Sequence, residues 1–499
     1  MLYEVITNAK IVVLVTGASG FLGAHCVKQL LCAGYSVRGT VRSLQNKAKV
    51  QPLIDLASSF PKENFKLIEA DLTNKECWKE AISGCIYVLH VASPFPIAAD
   101  ETIVDIAVRG TLNVLEACAD INCSVVKKVV LTSSCAAINE GHESENRTFS
   151  EEDWTKTDNK KVLAYSRSKT EAEKAAWGFV KNLKDTDNKF ALTCLNPTLI
   201  VGPVLIDIQG TSITILRRFL NNEMPLVPTL QLALVDVTDV AKAHISAMTN
   251  SESDNERILI TSQPSFWFKD IAKILAKEFE KQGYWLPHYE APYFCVWLYS
   301  FFDAETRSVL SRLNRQILFD NKKAKKLLGI DFRNPENSLI EMAYSMIERG
   351  ILPKHKEYIG PSQTIANGFR NNFPSFWFKD IAKILAKEFE KQGGREFGKI
   401  KILIFKGYWL PHYEAPYFCV WLYSFFDAET RSVLSRLNRQ ILFDNKKAKK
   451  LLGIEFRNPE NSLIEMAYSM IERGILPKHK EYIGPSQTIA NGFYKKNGI

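Results

Sequence analysis

The sequence contains no apolar run of membrane-spanning length and no recognisable targeting segment. The aromatic-rich run YFCVWLYSFF at 293–302 is about half of the roughly 20 residues that a spanning helix needs. Glu4 lies within the starting segment MLYEVITNAK, which matches neither a signal peptide nor a basic amphipathic presequence. We therefore expect a cytoplasmic protein that does not interact with membranes.

Paired cysteines and concentrated basic charge are also missing. None of the ten cysteines forms a C-x-x-C pair, which indicates buried thiols in a reducing compartment and gives no reason to expect a metal site. The glycosylation triplet Asn146-Arg147-Thr148 is then expected to be idle. The net charge of +9 is spread over mixed-sign segments such as KDIAKILAKEFEKQ, so no nucleic-acid surface is predicted. With 46% hydrophobic residues, the 499-residue chain can bury a large core in two or three domains.

Residues 11–23, IVVLVTGASGFLG, combine an apolar β-branched run with three glycines. Ile11 to Val15 predict a buried strand, and the following AHCVKQLLCAG predicts a helix. A sharp strand-to-helix turn presents free backbone N–H groups at the positive end of the helix dipole, which suits a dinucleotide pyrophosphate. Gly17 would allow the tight turn, Gly20 the approach of the phosphates, and Gly23 close packing of helix on strand. The predicted cofactor-binding residues of this loop are Gly17, Ser19, Gly20, Phe21, Leu22 and Gly23.

Basic residues follow the second predicted strand, Tyr35 to Val41. An NAD-specific site would offer Asp or Glu there for the ribose 2′-hydroxyl. This chain offers Arg42, with Arg38 before it and Lys47 and Lys49 after it, and a guanidinium suits bidentate phosphate binding. We predict NADP(H) as cofactor, with Arg42 as the main ligand of the 2′-phosphate and Lys49 as the second. The alternative is a solvated basic start of a helix.

Beyond this unit, predicted strands and helices keep alternating. Further strands are predicted at 66–70, 85–92, 127–134 and 190–197, and helices through 78–82, at 100–120 and at 164–182. This alternation predicts an α/β fold, with a doubly wound parallel sheet that is covered on both faces. Ligands of such sheets bind at the carboxyl ends of the strands.

Tyr165 and Lys169 are four residues apart in a predicted helix and so share one helix face. A free phenol ionises near pH 10. The Lys169 ammonium and the positive ring of an oxidised nicotinamide are expected to lower that pKa. Tyr165 would then protonate a carbonyl oxygen as hydride arrives, or deprotonate an alcohol in the reverse direction, while Lys169 holds the nicotinamide ribose. A hydroxyl from Thr132-Ser133-Ser134, at the end of the fifth predicted strand, would bind the same oxygen.

Several of these motifs resemble one enzyme superfamily. The G-x-x-G-x-x-G spacing with Thr16 ahead of it resembles the short-chain dehydrogenases/reductases, and TGASGFLG resembles their extended branch. The pattern S-S-x-A after the fifth strand is similar too, and it favours Ser134 as the catalytic hydroxyl, with Ser133 as the alternative. Between about residues 10 and 355 the chain resembles the dihydroflavonol 4-reductase/cinnamoyl-CoA reductase-like group. The segments that carry this likeness are HVASPF (90–95), GTLNVLEAC (110–118), NPTLIVGP (196–203) and LALVDVTDVAKAHISAM (232–248).

The resemblance implies an NADP-dependent reductase of small-molecule aldehydes or ketones, with a Rossmann-type domain and a smaller C-terminal substrate lobe. It implies adenine contacts from Asp71 and Leu72, although Asp71 could equally cap a helix. Further implied cofactor contacts are Val91, Ala92 and Ser93 along the cofactor, and Pro197, Thr198, Leu199 and Ile200 beside the nicotinamide. Three alternatives remain open: a hydroxysteroid-type dehydrogenase, a nucleotide-sugar epimerase, and a non-catalytic NADP-binding protein. NADP preference argues against most epimerases, which retain NAD.

A long C-terminal segment is repeated almost unchanged. Residues 265–283 recur at 375–393, and residues 284–369 recur at 408–493 with one difference, Asp331 against Glu455. Two copies of an enzyme tail do not make a solenoid; they indicate a recent duplication of the 3′ end of the gene or an assembly error. The predicted parts are 1–264, an NADP-binding Rossmann domain with part of the substrate lobe, 265–369, the C-terminal segment of that lobe, and 370–499, its duplicate with an insert at 394–407.

Both copies would carry the apolar face that docks on residues 1–264. The first copy has the shorter connection, which gives it the higher effective concentration. We expect residues 1–369 to form the working enzyme, and the second copy to expose aromatic side chains. The expected state is a monomer or weak homo-oligomer, with association through the duplicated tail.

Overall fold

The computed structural model describes residues 11–361 except 59, 95–100, 143–144, 146 and 207–209, together with residue 466. The duplicate at 370–499 and its insert, as well as Asn146 of the glycosylation triplet, therefore lie outside the described residues. Met1–Gly360 form one compact unit. Among the described residues, no helix combines the length and the apolar character needed to cross a membrane.

Strands and helices alternate through most of this unit. The strands are β1 (Val12–Val15), β2 (Ser36–Val41), β3 (Phe65–Glu69), β4 (Tyr87–His90), β5 (Lys128–Thr132), β6 (Thr148–Phe149), β7 (Ala191–Pro197), β8 (Leu199–Val201), β9 (Gln231–Leu232), β10 (Leu234–Asp236), β11 (Arg257–Ile260), β12 (Phe266–Trp267) and β13 (Leu318–Phe319). The α-helices are α1 (Phe21–Cys32), α2 (Lys47–Ala57), α3 (Cys77–Ile82), α4 (Thr102–Ala119), α5 (Ala164–Lys181), α6 (Thr211–Leu220), α7 (Val237–Thr249), α8 (Phe268–Phe279), α9 (Tyr293–Tyr299), α10 (Ala304–Val309), α11 (Lys322–Leu328) and α12 (Pro335–Glu348).

Seven strands form one parallel sheet in the order β11-β7-β5-β4-β1-β2-β3. The chain runs outward from β1 to β3 and then returns to β4 on the other side of β1. This reversal opens a crevice at the carboxyl ends of β1 and β4, where ligands of such sheets bind. The predicted α/β fold with a parallel sheet is confirmed. The seventh strand, β11, was missed because RILI is only four residues long and lies between polar segments.

The core lies on a sheet whose central strands are buried on both faces. Leu14, Val88, Val129 and Leu192, from four neighbouring strands, are completely buried, and Trp78 of α3 is 1% exposed against them. Burying one such large apolar side chain contributes about 1.5–3 kcal/mol. Near-continuous burial along β4, β5, β7 and β11 is what a parallel sheet covered by helices requires.

Residues 265–360 form part of the same compact unit as the sheet. In this segment β13 pairs with β6 in parallel, and Arg312 bonds Glu140 at 3.0 Å in the loop after β5. The turn after α8 ends at Gly283, in the left-handed region at φ +89°. The next residue, Tyr284, is 2% exposed and donates its hydroxyl proton to Pro353 O at 2.5 Å.

A buried charged cluster joins the loop before α12 to α7. Arg333 Nη1 bonds Asp236 Oδ2 at 3.1 Å and both guanidinium Nη atoms bond Glu341, while the Arg333 backbone N–H donates to Asp239 Oδ2 at 2.7 Å. Burial raises the pKa of Asp239 to about 7, and the nearby Asp236 adds to the rise. The Asp239 carboxyl therefore binds its proton more tightly in the folded chain than in the unfolded one.

Asp239→Asn is expected to change how stability depends on pH. Because the folded pKa is raised, the contribution of Asp239 to stability is largest below its ordinary pKa of 3.8 and is lost as pH rises through about 7. The melting temperature of the variant relative to the wild type should therefore rise by about 2–4 °C between about pH 5 and pH 8. Asp55→Asn, at a surface position of α2, is the control for loss of one carboxylate. A difference in melting temperature between Asp239→Asn and the wild type that is the same at every pH would contradict the raised pKa of Asp239.

Candidate active site

The glycine loop joins β1 to α1 at the crevice. Gly17 has φ +65°, and its N–H donates to Thr40 Oγ1 at 3.0 Å. A Cβ at Gly23 would lie 2.2 Å from Gly17 O, so any larger residue would force helix and strand apart. The first turn of α1 carries no acidic side chain, and no side chain caps it. Since the first N–H groups of a helix have no intrahelical acceptor, this cradle fits a pyrophosphate.

The end of β4 lies directly against this loop. Thr16 Oγ1 bonds His90 Nδ1 at 2.9 Å and accepts the Ala92 N–H at 2.9 Å. A Cβ at Gly17 would stand only 3.1 Å from Ala92, so a glycine allows the two segments to approach. Val91 and Ser93, both partly exposed, flank Ala92. The structure thus brings the glycine loop and residues 91–93 together at the edge where the strand order reverses.

Arg42 and Asp71 follow the adjacent strands β2 and β3. Arg42 is exposed, and its charge contributes to a lowered pKa of Asp71. The largest cause of that lowering is the side-chain hydrogen bond from Thr73, whose hydroxyl and N–H donate to Asp71 Oδ1 at 2.6 and 2.8 Å. Asp71 therefore caps a turn and not a helix, since α3 begins only at Cys77. Leu72 O accepts Asn113 Nδ2 of α4 at 2.8 Å.

The other basic residues near β2 are placed differently. Arg38 Nη1 donates to the carbonyls of Ala81 at 2.8 Å and Ser83 at 2.7 Å, and so holds the end of α3. Lys49 is half-buried in the first turn of α2. Arg42 thus presents its guanidinium to solvent at the carboxyl edge of the sheet, whereas Arg38 is occupied by backbone.

Tyr165 and Lys169 lie on α5, and the end of β5 brings Ser134 to them. The side chains of Tyr165 and Ser134 are hydrogen-bonded. Ser134 Oγ also accepts the Ala136 N–H at 3.1 Å, which fixes its position at the start of a 3-10 turn. Ser133, the alternative from the sequence, donates its hydroxyl proton to Glu173 instead. Of the two serines, Ser134 is therefore the one placed beside Tyr165.

Burial shifts the pKa values of both α5 groups toward their neutral forms. It raises the pKa of Tyr165, against the opposing effects of the Ser134 hydrogen bond and the Arg312 charge. Burial also lowers the pKa of Lys169 to about 8, and Glu173 opposes that fall. The sequence led us to expect a lowered phenol pKa from Lys169 and an oxidised nicotinamide. Within the protein alone, burial outweighs its neighbours, and Tyr165 is held as a protonated acid.

The segment after β7 completes the edge of the crevice. Pro197 ends β7 and is buried, while Leu199 and Ile200 in β8 are half-buried. Thr198 donates its N–H to Ile260 O at 3.1 Å, which ties it to β11. Pro197 thus lies in the seven-stranded sheet, whereas Leu199 and Ile200 lie in β8, which pairs with β10 in a separate two-stranded sheet.

Sequence reasoning missed a buried network behind these residues. Glu173 is 1% exposed on α5 and bonds Asn196 of β7 and Arg257 of β11. A signal was available in the four-residue spacing of Tyr165, Lys169, Glu173 and Trp177. These positions share one helix face, although the pattern alone does not distinguish Glu173 from a solvated residue.

Comparison with known proteins identifies the family of this chain. Residues 14–280 match the model of the 3-beta hydroxysteroid dehydrogenase/isomerase family. The chain is 35% identical over 266 residues to cinnamoyl-CoA reductase CAD2 of Medicago truncatula, covering 51% of this chain and 77% of that protein. It is 30% identical to the NADPH-dependent methylglyoxal reductase GRE2 of Saccharomyces cerevisiae, covering 67% of this chain and 98% of that protein.

A solved structure extends the likeness to the fold. Gre2 of Candida albicans in complex with NADPH is 32% identical, with a TM-score of 0.55, over 68% of this chain and 99% of that one. The family match is consistent with the glycine loop and the parallel sheet of the structure. The chain belongs to the 3-beta hydroxysteroid dehydrogenase/isomerase family, as an extended short-chain dehydrogenase/reductase of the dihydroflavonol 4-reductase and cinnamoyl-CoA reductase type.

Proposed function

We propose that this protein is an NADPH-dependent oxidoreductase that reduces the carbonyl of a small aldehyde or ketone to an alcohol. The observation that carries the proposal is the hydrogen-bonded pair of Tyr165 and Ser134, with Lys169 one helical turn away, at the carboxyl edge of the sheet. The related proteins support it, because one is named an NADPH-dependent methylglyoxal reductase and the Gre2 structure of Candida albicans is a complex with NADPH.

The chain's own residues would bind NADPH from one end to the other. When bound, the cofactor supplies a hydride to the carbonyl carbon. The glycine loop holds the pyrophosphate, Arg42 and Lys49 hold the 2′-phosphate, and Lys169 holds the nicotinamide ribose. The remaining contacts are Asp71 and Leu72 at the adenine, Val91, Ala92 and Ser93 along the cofactor, and Pro197, Thr198, Leu199 and Ile200 beside the nicotinamide.

Tyr165 and Ser134 would act together on the carbonyl oxygen. Both hydroxyls bind that oxygen, and Tyr165 donates its phenolic proton as the hydride reaches the carbon, so an alcohol and a tyrosinate form. The raised pKa of Tyr165 suits this direction, because the acid is protonated at neutral pH. Ser134 and the Lys169 ammonium stabilise the tyrosinate until a proton from water restores it.

The cellular setting and the assembly state are part of the same proposal. Nine described cysteines are free thiols, which supports a reducing, cytoplasmic location. We infer a monomer or weak homo-oligomer that associates through aromatic side chains of the duplicated segment. Phe294, Trp297 and Phe302 of the first copy are 64%, 41% and 84% exposed, and the same residues recur in the second copy at 418, 421 and 426.

Tyr165→Phe is expected to abolish most of the reductase activity without preventing cofactor binding. Loss of a general acid lowers kcat by about 10²- to 10⁴-fold. The assay is NADPH consumption over a panel of aldehydes, diketones, flavanonols and steroid ketones, with NADPH fluorescence as the binding measurement. Ser134→Ala should reduce kcat more than Ser133→Ala does. Undiminished turnover by Tyr165→Phe would contradict the proposed role.

Arg42→Ala is expected to weaken NADPH binding selectively. Losing charge-assisted bonds of about 1.5–3 kcal/mol raises the KM for NADPH by about 10- to 100-fold. The KM for NADH, which lacks the 2′-phosphate, should stay the same and serves as the internal control. Equal changes for both cofactors would reject Arg42 as the 2′-phosphate ligand, and NAD retained through purification would favour an epimerase.

Residues 1–369 are expected to retain full activity. Residues 265–360 of the first copy lie in the compact unit Met1–Gly360 with the sheet, which supports the view that the second copy is dispensable. Turnover per active site should match that of the full chain within about twofold. This difference is well under the tenfold change in rate that corresponds to about 1.4 kcal/mol of activation free energy. The reciprocal deletion of 265–374 joins the second copy to the sheet and tests whether it can substitute. Loss of activity in the 1–369 chain would refute the assignment.

A further inference from the structure

The carboxylate of Glu173 is the centre of a buried network directly behind the catalytic residues. It is 1% exposed. Oε2 accepts Asn196 Nδ2 at 2.8 Å and the Ser133 hydroxyl, and Oε1 accepts Arg257 Nε at 2.5 Å and Trp177 Nε1 at 3.4 Å. Both oxygens are therefore occupied by donors from β7, from β11, from the residue after β5 and from α5 itself.

Arg257 supplies the compensating charge and is itself held rigidly. Its guanidinium lies 3.7 Å from the centre of the Trp154 ring. It also donates to the carbonyls of Glu151 at 2.7 Å, Asp153 at 2.5 Å and Ala137 at 3.0 Å. A buried ion pair persists only when hydrogen bonds satisfy both partners, and here they do.

Two contacts of this network, Ser133 and Asn196, are next in sequence to residues of the proposed site. Ser133 precedes Ser134, whose carbonyl oxygen also accepts Asn196 Nδ2 at 3.2 Å. Asn196 precedes Pro197. Glu173 lies one helical turn after Lys169, so its negative charge faces the ammonium along one side of α5.

We propose that Glu173 is a positioning residue of this site, which fixes Ser134 through Ser133 and Asn196 and keeps the Lys169 ammonium charged. The expected effects on kcat and KM rest on the proposed reductase function. The expected effect on the charge of Lys169 does not, because the affinity for NADPH measures it separately.

The other titratable and charged groups named here do not supply a negative charge that would keep Lys169 protonated. His90 on β4 faces Lys169, but burial lowers the pKa of His90 to about 3 and its ring is neutral. Tyr165, on the same helix, is protonated because burial raises its pKa. Arg257 is positive and bound to Glu173 itself. Without the Glu173 charge, burial of Lys169 is unopposed, and its pKa falls further below about 8.

Glu173→Gln tests the charge while conserving the shape. The pH dependence of kcat/KM and of NADPH affinity, the latter by fluorescence, is measured for the variant and the wild type. Since Lys169 acts as the ammonium, both quantities should fall as pH rises through its pKa. In the variant this fall should shift to lower pH by about one unit or more. An unchanged pH profile, with only a lower melting temperature, would mean that Glu173 has a structural role alone.

Two further variants keep the test decisive. Trp177→Phe removes one hydrogen bond to Glu173 but keeps the charge, so its profile should stay at the wild-type position. If Glu173→Gln does not fold because Arg257 is left unpaired, Glu173→Gln/Arg257→Gln removes both charges and should show a smaller shift in the same direction, because losing the Arg257 charge partly offsets losing the nearer Glu173 charge. A wild type that reduces no carbonyl would refute the proposed function. A pH profile of NADPH binding that is the same in Glu173→Gln and in the wild type would refute the role of Glu173.

Discussion

The reversal of strand order between β1 and β4 is the constraint on which the site depends. Because all seven strands are parallel, their carboxyl ends meet at one edge, and the chain leaves β1 and β4 in opposite directions. Gly17 can then approach Ala92 closely, and the hydroxyl of Thr16 bridges the two segments. Residues far apart in sequence, from the glycine loop to Ser134 and Pro197, reach one edge of the sheet for this reason.

Local patterns in the sequence were sufficient for the strands and helices that form this edge. The run Val12–Val15 with its glycines and the spacing of Tyr165 and Lys169 both depend on short-range geometry, which a sequence displays directly. Ser134 is favoured over Ser133 from the resemblance in the S-S-x-A pattern, because residue type alone does not separate two hydroxyls at the end of one strand. In the structure the side chain of Ser134 is hydrogen-bonded to Tyr165, whereas Ser133 donates to Glu173.

The pKa of Tyr165 shows a second limit of sequence reasoning. Spacing on a helix places an ammonium near a phenol, and charge alone predicts that the phenol becomes more acidic. Burial acts in the opposite direction and is the largest cause of the raised pKa, although the charge of Arg312, brought in from elsewhere in the fold, opposes it. Desolvation is a property of the folded environment, so no local pattern reports it.

The contacts of β13 with β6 and of Arg312 with Glu140 also have a consequence for synthesis at the ribosome. These contacts belong to the first copy, which is complete about 130 residues before the chain ends. At 5–20 residues per second, the remaining translation lasts about 6–26 s. The first copy is therefore available to dock on residues 1–264 for several seconds before the second copy is complete.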